Sequence, residues 1–325
     1  MKRHLFLLFC ALFFSACKAE REPKEDKLRQ WMSDNGKKKI LCTTAMVSSL
    51  VERVGGTAIE CLTLIQGEHD PHSYQLVKGD DEKIARADLI FFSGLGLEHG
   101  PSLAYHLQNS SKAYSLGAYI LKTAPQNIIY IDNTIDPHVW MDVSLWSQTI
   151  PSIVETLNTL LPECKDDIKN NAKVLIAEMK NVHEMLKNEL HSIPKERRYL
   201  VTTHDAFNYF TRAYLAEDEE VRDGTWRTRF QAPEGLAPDS QLSTLDIHRL
   251  AEYIMQHGVR SIFSESNVSR DSLKKLVDAC KEKGYVTTIA KEPLYADALG
   301  PFKAAGSYLM MMEYDAQVIV RGLKE

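Results

Sequence analysis

Short runs of β-branched and aromatic residues alternate along the chain with longer segments whose apolar positions recur at helical spacing. The extended runs cover residues 38–44, 57–65, 87–94, 127–132, 198–203, 260–266 and 285–290. The helical patterns between them include 80–87, 101–108, 243–258 and 269–284. Strands that alternate with helices in this way indicate βαβ units and a parallel sheet. Each half of the chain is therefore predicted to be an α/β lobe.

One long segment between the halves has a different pattern. Residues 165–192 contain neither Pro nor Gly, and their apolar side chains follow a helical period until Pro194. A flexible linker would be rich in Gly or Ser, so this segment is predicted to be a rigid helix. We expect an N-terminal βα lobe at 38–164, the connecting helix at 165–192 and a C-terminal βα lobe at 193–325, with a cleft between the lobes.

The N-terminus has the pattern of an export signal. A cationic start, MKRH, precedes ten apolar residues at 5–14, which are too few to span a bilayer. The next residues, FSAC at 14–17, resemble a bacterial lipobox, although Phe14 stands where Leu is usual. We expect a signal peptide at 1–16, lipidation of Cys17 and a polar tether at 17–37. The protein is then periplasmic, or at least outside the cytoplasm, and anchored to a membrane by its lipid.

Composition and charge narrow the class of protein. The 325 residues are 44% hydrophobic and 26% charged, which is typical of a globular chain. The net charge is −5 and the sequence has no basic patch, so nucleic acid is not an expected partner.

Export changes what the cysteines can do. Cys42, Cys61, Cys164 and Cys280 remain after Cys17, in a compartment where disulfides persist, and their spacings match no zinc ribbon or finger. Cys42 and Cys61 lie in consecutive predicted strands. A disulfide between them and a pair of small buried apolar side chains are both compatible with the sequence.

The tripeptide Asp-Pro-His occurs twice, at 70–72 and at 136–138, and His204 follows at the same spacing of 66 residues (138 − 72 = 66 and 204 − 138 = 66). Each of the three histidines comes at the end of a predicted strand or one short loop later. Ligands of open α/β sheets bind beyond the carboxyl ends of the strands, and Pro71 and Pro137 stiffen two of these loops. One shared cleft is therefore predicted for His72, His138 and His204.

Asp297 is the fourth candidate, because it lies in the loop after the last predicted strand. Three imidazoles and one carboxylate, two from each lobe, can enclose one divalent first-row ion at the lobe interface. Glu98 and Asp136 are the candidates for side chains that do not bind the ion themselves but orient its ligands by hydrogen bonds.

The donor set leaves the identity of the ion open. A monodentate carboxylate completes the tetrahedron that suits zinc, whereas a bidentate one gives the five-coordination that manganese or ferrous iron accepts. We expect Zn²⁺ or Mn²⁺, with iron left open. The ligands bind only when deprotonated, so release is predicted as the pH falls through the imidazole range.

Longer motifs surround each candidate ligand. They are DPHSYQLVKGDDEKIARADLIFFSGLGLE (70–98), DPHVWMDV (136–143), YLVTTHDAFNYFTRAYL (199–215) and LYADALG (294–300). In this order they resemble the four ligand segments of the metal-binding lipoproteins of bacterial ABC importers for manganese, zinc and iron, solute-binding protein family 9. The Lys-Gly-Asp-Asp run at 78–81 is similar to that of chlamydial-type members.

The resemblance implies a function and a ligand set. High-affinity binding of a divalent transition metal outside the cytoplasm would be followed by delivery to an ABC permease. The implied partners are that permease and, through the lipid anchor, a membrane, and the protein is expected to be a monomer. The four ligand positions of the family would be His72, His138, His204 and Asp297.

Two departures concern the metal. Many manganese-selective members have Glu where this chain has His204. Many zinc-specific members carry a His- and Asp-rich loop after the first ligand, and residues 73–87 contain no such run. The resemblance therefore does not select one metal.

An exported zinc hydrolase and a surface adhesin are the alternatives to metal delivery. An exported zinc hydrolase keeps one coordination position for water and places a carboxylate base beside it, as in His-Glu-x-x-His. The sequence has no such motif, so no enzyme is predicted. A surface adhesin on the same fold is compatible with the sequence as an alternative or added role.

Overall fold

The computed structural model describes residues 23–238 and 243–324. The predicted signal peptide at 1–16 and the predicted lipidation site, Cys17, lie outside the described residues. Within the described part of the chain, no helix is both long enough and apolar enough to cross a membrane.

The first half alternates helices and strands as predicted. Its elements are α1 (Pro23–Met32), β1 (Lys38–Cys42), α2 (Ala45–Gly55), β2 (Ile59–Thr63), α3 (Asp80–Arg86), β3 (Leu89–Phe92), α4 (Pro101–Asn109), β4 (Ala113–Ser115), α5 (Leu116–Thr123), β5 (Tyr130–Ile131), β6 (Thr134–Ile135), α6 (Val143–Ser147) and α7 (Ile150–Leu160). Strands β1 to β4 form one parallel sheet in the order β2-β1-β3-β4. Helices α2, α5 and α7 cover one face of this sheet, and α1, α3 and α4 cover the other.

One predicted strand does not join the parallel sheet. Residues 127–132 contain β5, which pairs antiparallel with β6. The hairpin forms because Asp132 and Asn133 adopt left-handed backbone conformations, with φ of 47° and 65°. The fourth strand of the sheet is β4, which sequence analysis did not predict.

The predicted tether is wrong for residues 23–32, which form α1 and pack on the sheet. The Trp31 side chain is 1% exposed. Its Nε1 donates to the carbonyl oxygens of Ile40, at 3.3 Å, and Glu60, at 3.1 Å. Burial of this large indole outweighs the polar character of the surrounding segment.

Helix α8 (Lys165–His191) lies where the connecting helix was predicted. The second half follows with β7 (Leu200–Val201), α9 (Asn208–Phe210), α10 (Asp218–Asp223), β8 (Phe230–Gln231), α11 (Thr244–Gln256), β9 (Ser261–Ile262), α12 (Asp271–Glu282), β10 (Thr288–Ile289), α13 (Phe302–Ala305) and α14 (Tyr308–Lys324). Strand β7 pairs in parallel with β8, and β9 with β10. The backbone N–H of Phe263 donates to the Val201 carbonyl at 2.8 Å and joins the two pairs.

One apolar core extends through both halves along α8. The buried face of α8 packs against α2, α6 and α7 of the first half and against α14 and residues 211–215 of the second. A second cluster, between α11, α12 and β9, belongs to the second half. The shared core favours small displacements of the halves over a wide hinge opening.

Candidate metal centre

The four candidate ligands meet at the junction of the two halves. One ligand atom from each of His72, His138, His204 and Asp297 lies within 4.8 Å of all the others. All four side chains are buried. The first two ligands come from the first half of the chain and the last two from the second half.

The distances between these atoms are those of ligands around one ion. His72 Nε2 lies 3.2 Å from His138 Nε2, and His204 Nε2 lies 3.2 Å from Asp297 Oδ2. Asp297 Oδ1 is 3.6 Å from His138 Nε2, and Oδ2 is 3.9 Å from His72 Nε2. A tetrahedral ion with bonds of about 2.0–2.1 Å holds neighbouring ligand atoms roughly 3.3 Å apart.

Several buried polar atoms of the cluster have no hydrogen-bond partner among the described residues. They include both carboxylate oxygens of Asp297 and Nε2 of His204. Buried polar atoms in native structures normally have a partner. A cation at the centre of the cluster supplies one.

The first Asp-Pro-His loop is fixed by its own aspartate and by the glycine that precedes α4. Asp70 Oδ1 accepts the backbone N–H of His72 at 2.9 Å, and Oδ2 accepts the Ser73 hydroxyl at 2.5 Å. The loop also packs on Gly100, where a Cβ atom would lie 2.0 Å from the Tyr74 carbonyl oxygen. Glycine is therefore required at this close approach.

The second Asp-Pro-His loop places its aspartate directly behind the ligand. Asp136 Oδ1 lies 2.7 Å from His138 Nδ1 and accepts the backbone N–H of His138 at 2.9 Å. Asn208 Nδ2 donates to Asp136 Oδ2 at 3.1 Å, and the Tyr209 hydroxyl donates to the Asp136 carbonyl at 3.1 Å. With the proton on Nδ1, the Nε2 lone pair of His138 faces the cluster.

Glu265 is the ion-pair partner of His204 and also binds its backbone, and it was not predicted from the sequence. Its Oε2 lies 2.5 Å from His204 Nδ1, and its Oε1 accepts the backbone N–H groups of Thr203 and His204 at 3.0 Å and 2.9 Å. Glu265 stands near the end of the predicted strand 260–266. The rule that located the histidines could therefore have located Glu265.

The loop that carries Asp297 is hydrogen-bonded to both halves of the chain. Trp140 Nε1 donates to the Ala296 carbonyl at 2.8 Å, and the Tyr308 hydroxyl donates to the Trp140 carbonyl at 2.5 Å. Behind the loop, the buried Asp315 accepts the backbone N–H of Tyr295 at 3.0 Å. The segment that carries His138 is thus hydrogen-bonded to the segment that carries Asp297.

Glu98 accepts hydrogen bonds at the ends of two strands. Its carboxylate accepts the Thr43 hydroxyl at 2.6 Å and the backbone N–H groups of Ser93 and Gly94 at 2.8 Å and 2.9 Å. These bonds join the ends of β1 and β3. A contribution of Glu98 to the ligand set stays a prediction.

The pKa values of His72, His204 and Asp297 are shifted by burial and by neighbouring side chains, and the buried carboxylate favours a bound cation. Burial lowers the pKa of His72 to about 3 in the metal-free chain, although the Asp297 carboxylate opposes this shift. Burial acts in the same direction on His204, but the carboxylates of Glu265 and Asp297 outweigh it and raise the His204 pKa well above its usual value. Burial works against ionisation of Asp297, and the three imidazoles still hold its pKa below the usual range.

The family and the relatives that the sequence matches are metal-binding proteins, in agreement with this cluster. The sequence matches the family described as zinc-uptake complex component A, periplasmic, over residues 40–322. Metal-binding protein YtgA of Chlamydia pneumoniae is 41% identical over 263 residues, which are 81% of this chain and 80% of that protein.

Two solved structures share the fold. The crystal structure of Fe(III)-bound YtgA from Chlamydia trachomatis has a TM-score of 0.83 and 36% identity, and the match covers 87% of this chain and 97% of that one. The periplasmic zinc-binding protein TroA from Treponema pallidum has a TM-score of 0.79 and 29% identity, with coverage of 89% and 100%.

The matched region includes all four candidate ligands and α8. Members of the family are binding components of transport systems rather than enzymes, so the hydrolase alternative is set aside. The chain belongs to the zinc-uptake complex component A family, the metal-binding components of bacterial ABC importers for zinc, manganese and iron, as its sequence motifs predicted.

Proposed function

We propose that this protein binds one transition-metal ion through His72, His138, His204 and Asp297 and delivers it to an ABC permease. The observation that supports this ligand set is the convergence of four buried ligand atoms from both halves within 4.8 Å. The carboxylates of Asp136 and Glu265 orient two of the imidazoles. An ion in this position is cargo that bridges the two halves.

The cargo is proposed to be zinc, manganese or iron. Asp297 turns Oδ1 towards His138 and Oδ2 towards His204 and His72. The carboxylate can therefore bind through one oxygen, which suits tetrahedral zinc, or through both, which suits five-coordinate manganese or iron. The similar YtgA structure is described as Fe(III)-bound and TroA as zinc-binding, so iron and zinc belong in the test beside manganese.

Delivery is proposed to take place at a membrane surface. The protein would work outside the cytoplasm as a monomer, held at the membrane by the lipid on Cys17, and nucleic acid would have no part. Metal–ligand bonds of about 2 Å weaken steeply when stretched. A small displacement of His204 and Asp297 relative to His72 and His138 is therefore enough to release the ion to the permease.

Metal content after purification tests the ligand set. Wild type purified without added metal and then supplied with Zn²⁺, Mn²⁺ or Fe²⁺ is expected to hold one ion per chain by inductively coupled plasma mass spectrometry. His138→Ala is expected to lose that ion. His106→Ala removes a histidine from α4, outside the cluster, and should keep it. One ion per chain retained by His138→Ala would contradict the proposal.

A further inference from the structure

Two cysteines lie within reach of each other in the sheet of the first half. The Sγ atoms of Cys42 and Cys61 are 3.4 Å apart. The cysteines sit on the paired parallel strands β1 and β2, in a register that places Ile40 opposite Cys61 and Cys42 opposite Thr63. Both side chains face the same apolar core, with exposures of 0% and 6%.

We propose that Cys42 and Cys61 are oxidised to a disulfide in the mature protein, while Cys164 and Cys280 remain thiols. A disulfide has an S–S length of about 2.05 Å, so the sulfurs must approach by about 1.4 Å, which small side-chain rotations supply. The periplasmic character of the family places the pair where disulfides persist.

Among the described residues, Cys164 and Cys280 have no second cysteine at a comparable distance. Cys164 is half-buried just before α8, and Cys280 is buried in the core of the second half, between α11 and α12. Within residues 23–238 and 243–324, the contact between Cys42 and Cys61 is the one close approach of two cysteine sulfurs. The structure therefore selects one pairing from those that four cysteines allow.

The oxidation needs an acceptor for two electrons. Two S–H bonds break and one S–S bond forms, while the disulfide of a thiol–disulfide oxidase or of oxidised glutathione takes up the two electrons and, through solvent, the two protons, and becomes two thiols. Cys61 is the first nucleophile, because it lines a cavity of about 300 Å³ together with Lys27, Trp31 and Glu52. The Cys42 thiolate then attacks Sγ of Cys61 and displaces the reduced oxidant.

The cavity also indicates when the bridge forms. Lys27 and Trp31 belong to α1, so the oxidant reaches Cys61 most easily before α1 packs on the sheet. Burial, together with the neighbouring Cys61, raises the pKa of the Cys42 thiol, which makes Cys42 the slower nucleophile. Once closed, the bridge encloses α2 and ties β1 to β2.

Peptide mapping tests the pairing. Full-length protein is exported into an oxidising compartment, treated with oxidised glutathione, blocked with N-ethylmaleimide in denaturant and digested with trypsin. Cleavage at Lys39, Arg53 and Lys78 places the cysteines on peptides 40–53 and 54–78. We expect a linked pair that separates on reduction, with Cys164 and Cys280 carrying the maleimide. Peptides 40–53 and 54–78 recovered separately with maleimide, or a linkage to Cys164 or Cys280, would overturn the proposal.

Thermal unfolding of the metal-free protein gives an independent readout. Reduction of wild type should lower the Tm by about 5 °C, because the cross-link restricts the unfolded chain. The double variant Cys42→Ala/Cys61→Ala should show no change on reduction. Cys280→Ala removes a buried cysteine outside the bridge and should keep the full shift. A shift on reduction that persists in the double variant would overturn the pairing.

Discussion

Asp136 Oδ1 accepts two hydrogen bonds from His138, one from the backbone N–H at 2.9 Å and one from Nδ1 at 2.7 Å. Asp70 makes the first of these bonds to His72, also at 2.9 Å. The repeated Asp-Pro-His is therefore a loop in which the aspartate fixes the backbone of the histidine that follows the proline. In the second copy the aspartate also fixes the imidazole.

Asp136→Asn is expected to weaken metal binding about 10- to 100-fold. An amide cannot hold the Nδ1 proton as a carboxylate does, so the Nε2 lone pair of His138 is less basic and less well oriented. Competition titration against a chelator of known affinity measures the change. Asp132→Asn is the control, because Asp132 is exposed in the hairpin turn and its left-handed backbone accepts asparagine. Equal affinities for the two variants would refute this role.

Metal affinity is expected to fall about tenfold per pH unit from pH 7.5 to pH 5. Protons compete with the metal at His204, because Glu265 and Asp297 raise its pKa against the effect of burial. His72, with a pKa of about 3, does not compete in this range. Titrations across the range measure the slope.

Glu265→Gln identifies the competing group. The variant removes a carboxylate that raises the His204 pKa, so the slope should begin at a lower pH than in wild type. Glu282→Gln, at the exposed end of α12, should leave the profile unchanged. A wild-type affinity that stays constant from pH 7.5 to 5 would show that no ligand imidazole takes up a proton.

The metal-free protein is expected to lose stability as the pH falls from 6.5 towards 3. His72 keeps a pKa of about 3 in the folded chain, whereas the unfolded chain takes up the proton near pH 6.5. In this window the unfolded state binds one more proton, so the free energy of unfolding falls by up to about 1.4 kcal/mol per pH unit. His72→Gln should flatten this dependence in urea denaturation series. An unchanged slope in the variant would assign the acid sensitivity to other groups.

Trp31→Ala is expected to lower the free energy of unfolding by about 3–5 kcal/mol. The indole is buried between α1 and the sheet and donates to two backbone carbonyls. Tyr105→Ala is the control, because Tyr105 is 66% exposed and its loss should cost less than about 0.5 kcal/mol. Urea denaturation that gives the same small loss for both variants would mean that α1 is a solvated tether after all.

The convergence of the four candidate ligands could be predicted from their positions along the sequence. His72 and His204 come after the ends of β2 and β7, which lie in parallel pairs, and the carboxyl ends of parallel strands share one edge of a sheet. His138 follows the antiparallel hairpin of β5 and β6, so its place in the cluster was predicted from a strand that does not join the parallel sheet. The positions of these ligands along the chain can be predicted without the hydrogen-bond network.

Glu265 also follows this rule of strand ends, because it lies near the end of the predicted strand 260–266, but its acceptance of the Thr203 and His204 backbone N–H groups appears only in the packed fold. The role of Asp315 could not be predicted from position, because it depends on the Tyr295 backbone N–H group, which reaches Asp315 only in the packed fold.

The errors have local causes. The run 127–132 looks like a buried strand, but the chain turns at Asp132 and Asn133, and this short polar turn was the signal for a hairpin. The segment with α1 is polar overall, and the burial of one tryptophan decides its structure. The average polarity of a segment does not reveal that one of its side chains is buried against the sheet.

Anomalous X-ray diffraction from crystals loaded with Zn²⁺, Mn²⁺ or iron, recorded at the absorption edge of the metal, tests the central claim most directly. We predict one strong peak per chain, about 2.0–2.3 Å from Nε2 of His72, His138 and His204 and from the carboxylate of Asp297. A principal peak bound by ligands from only one half of the chain, or by residues outside this set, would contradict the account.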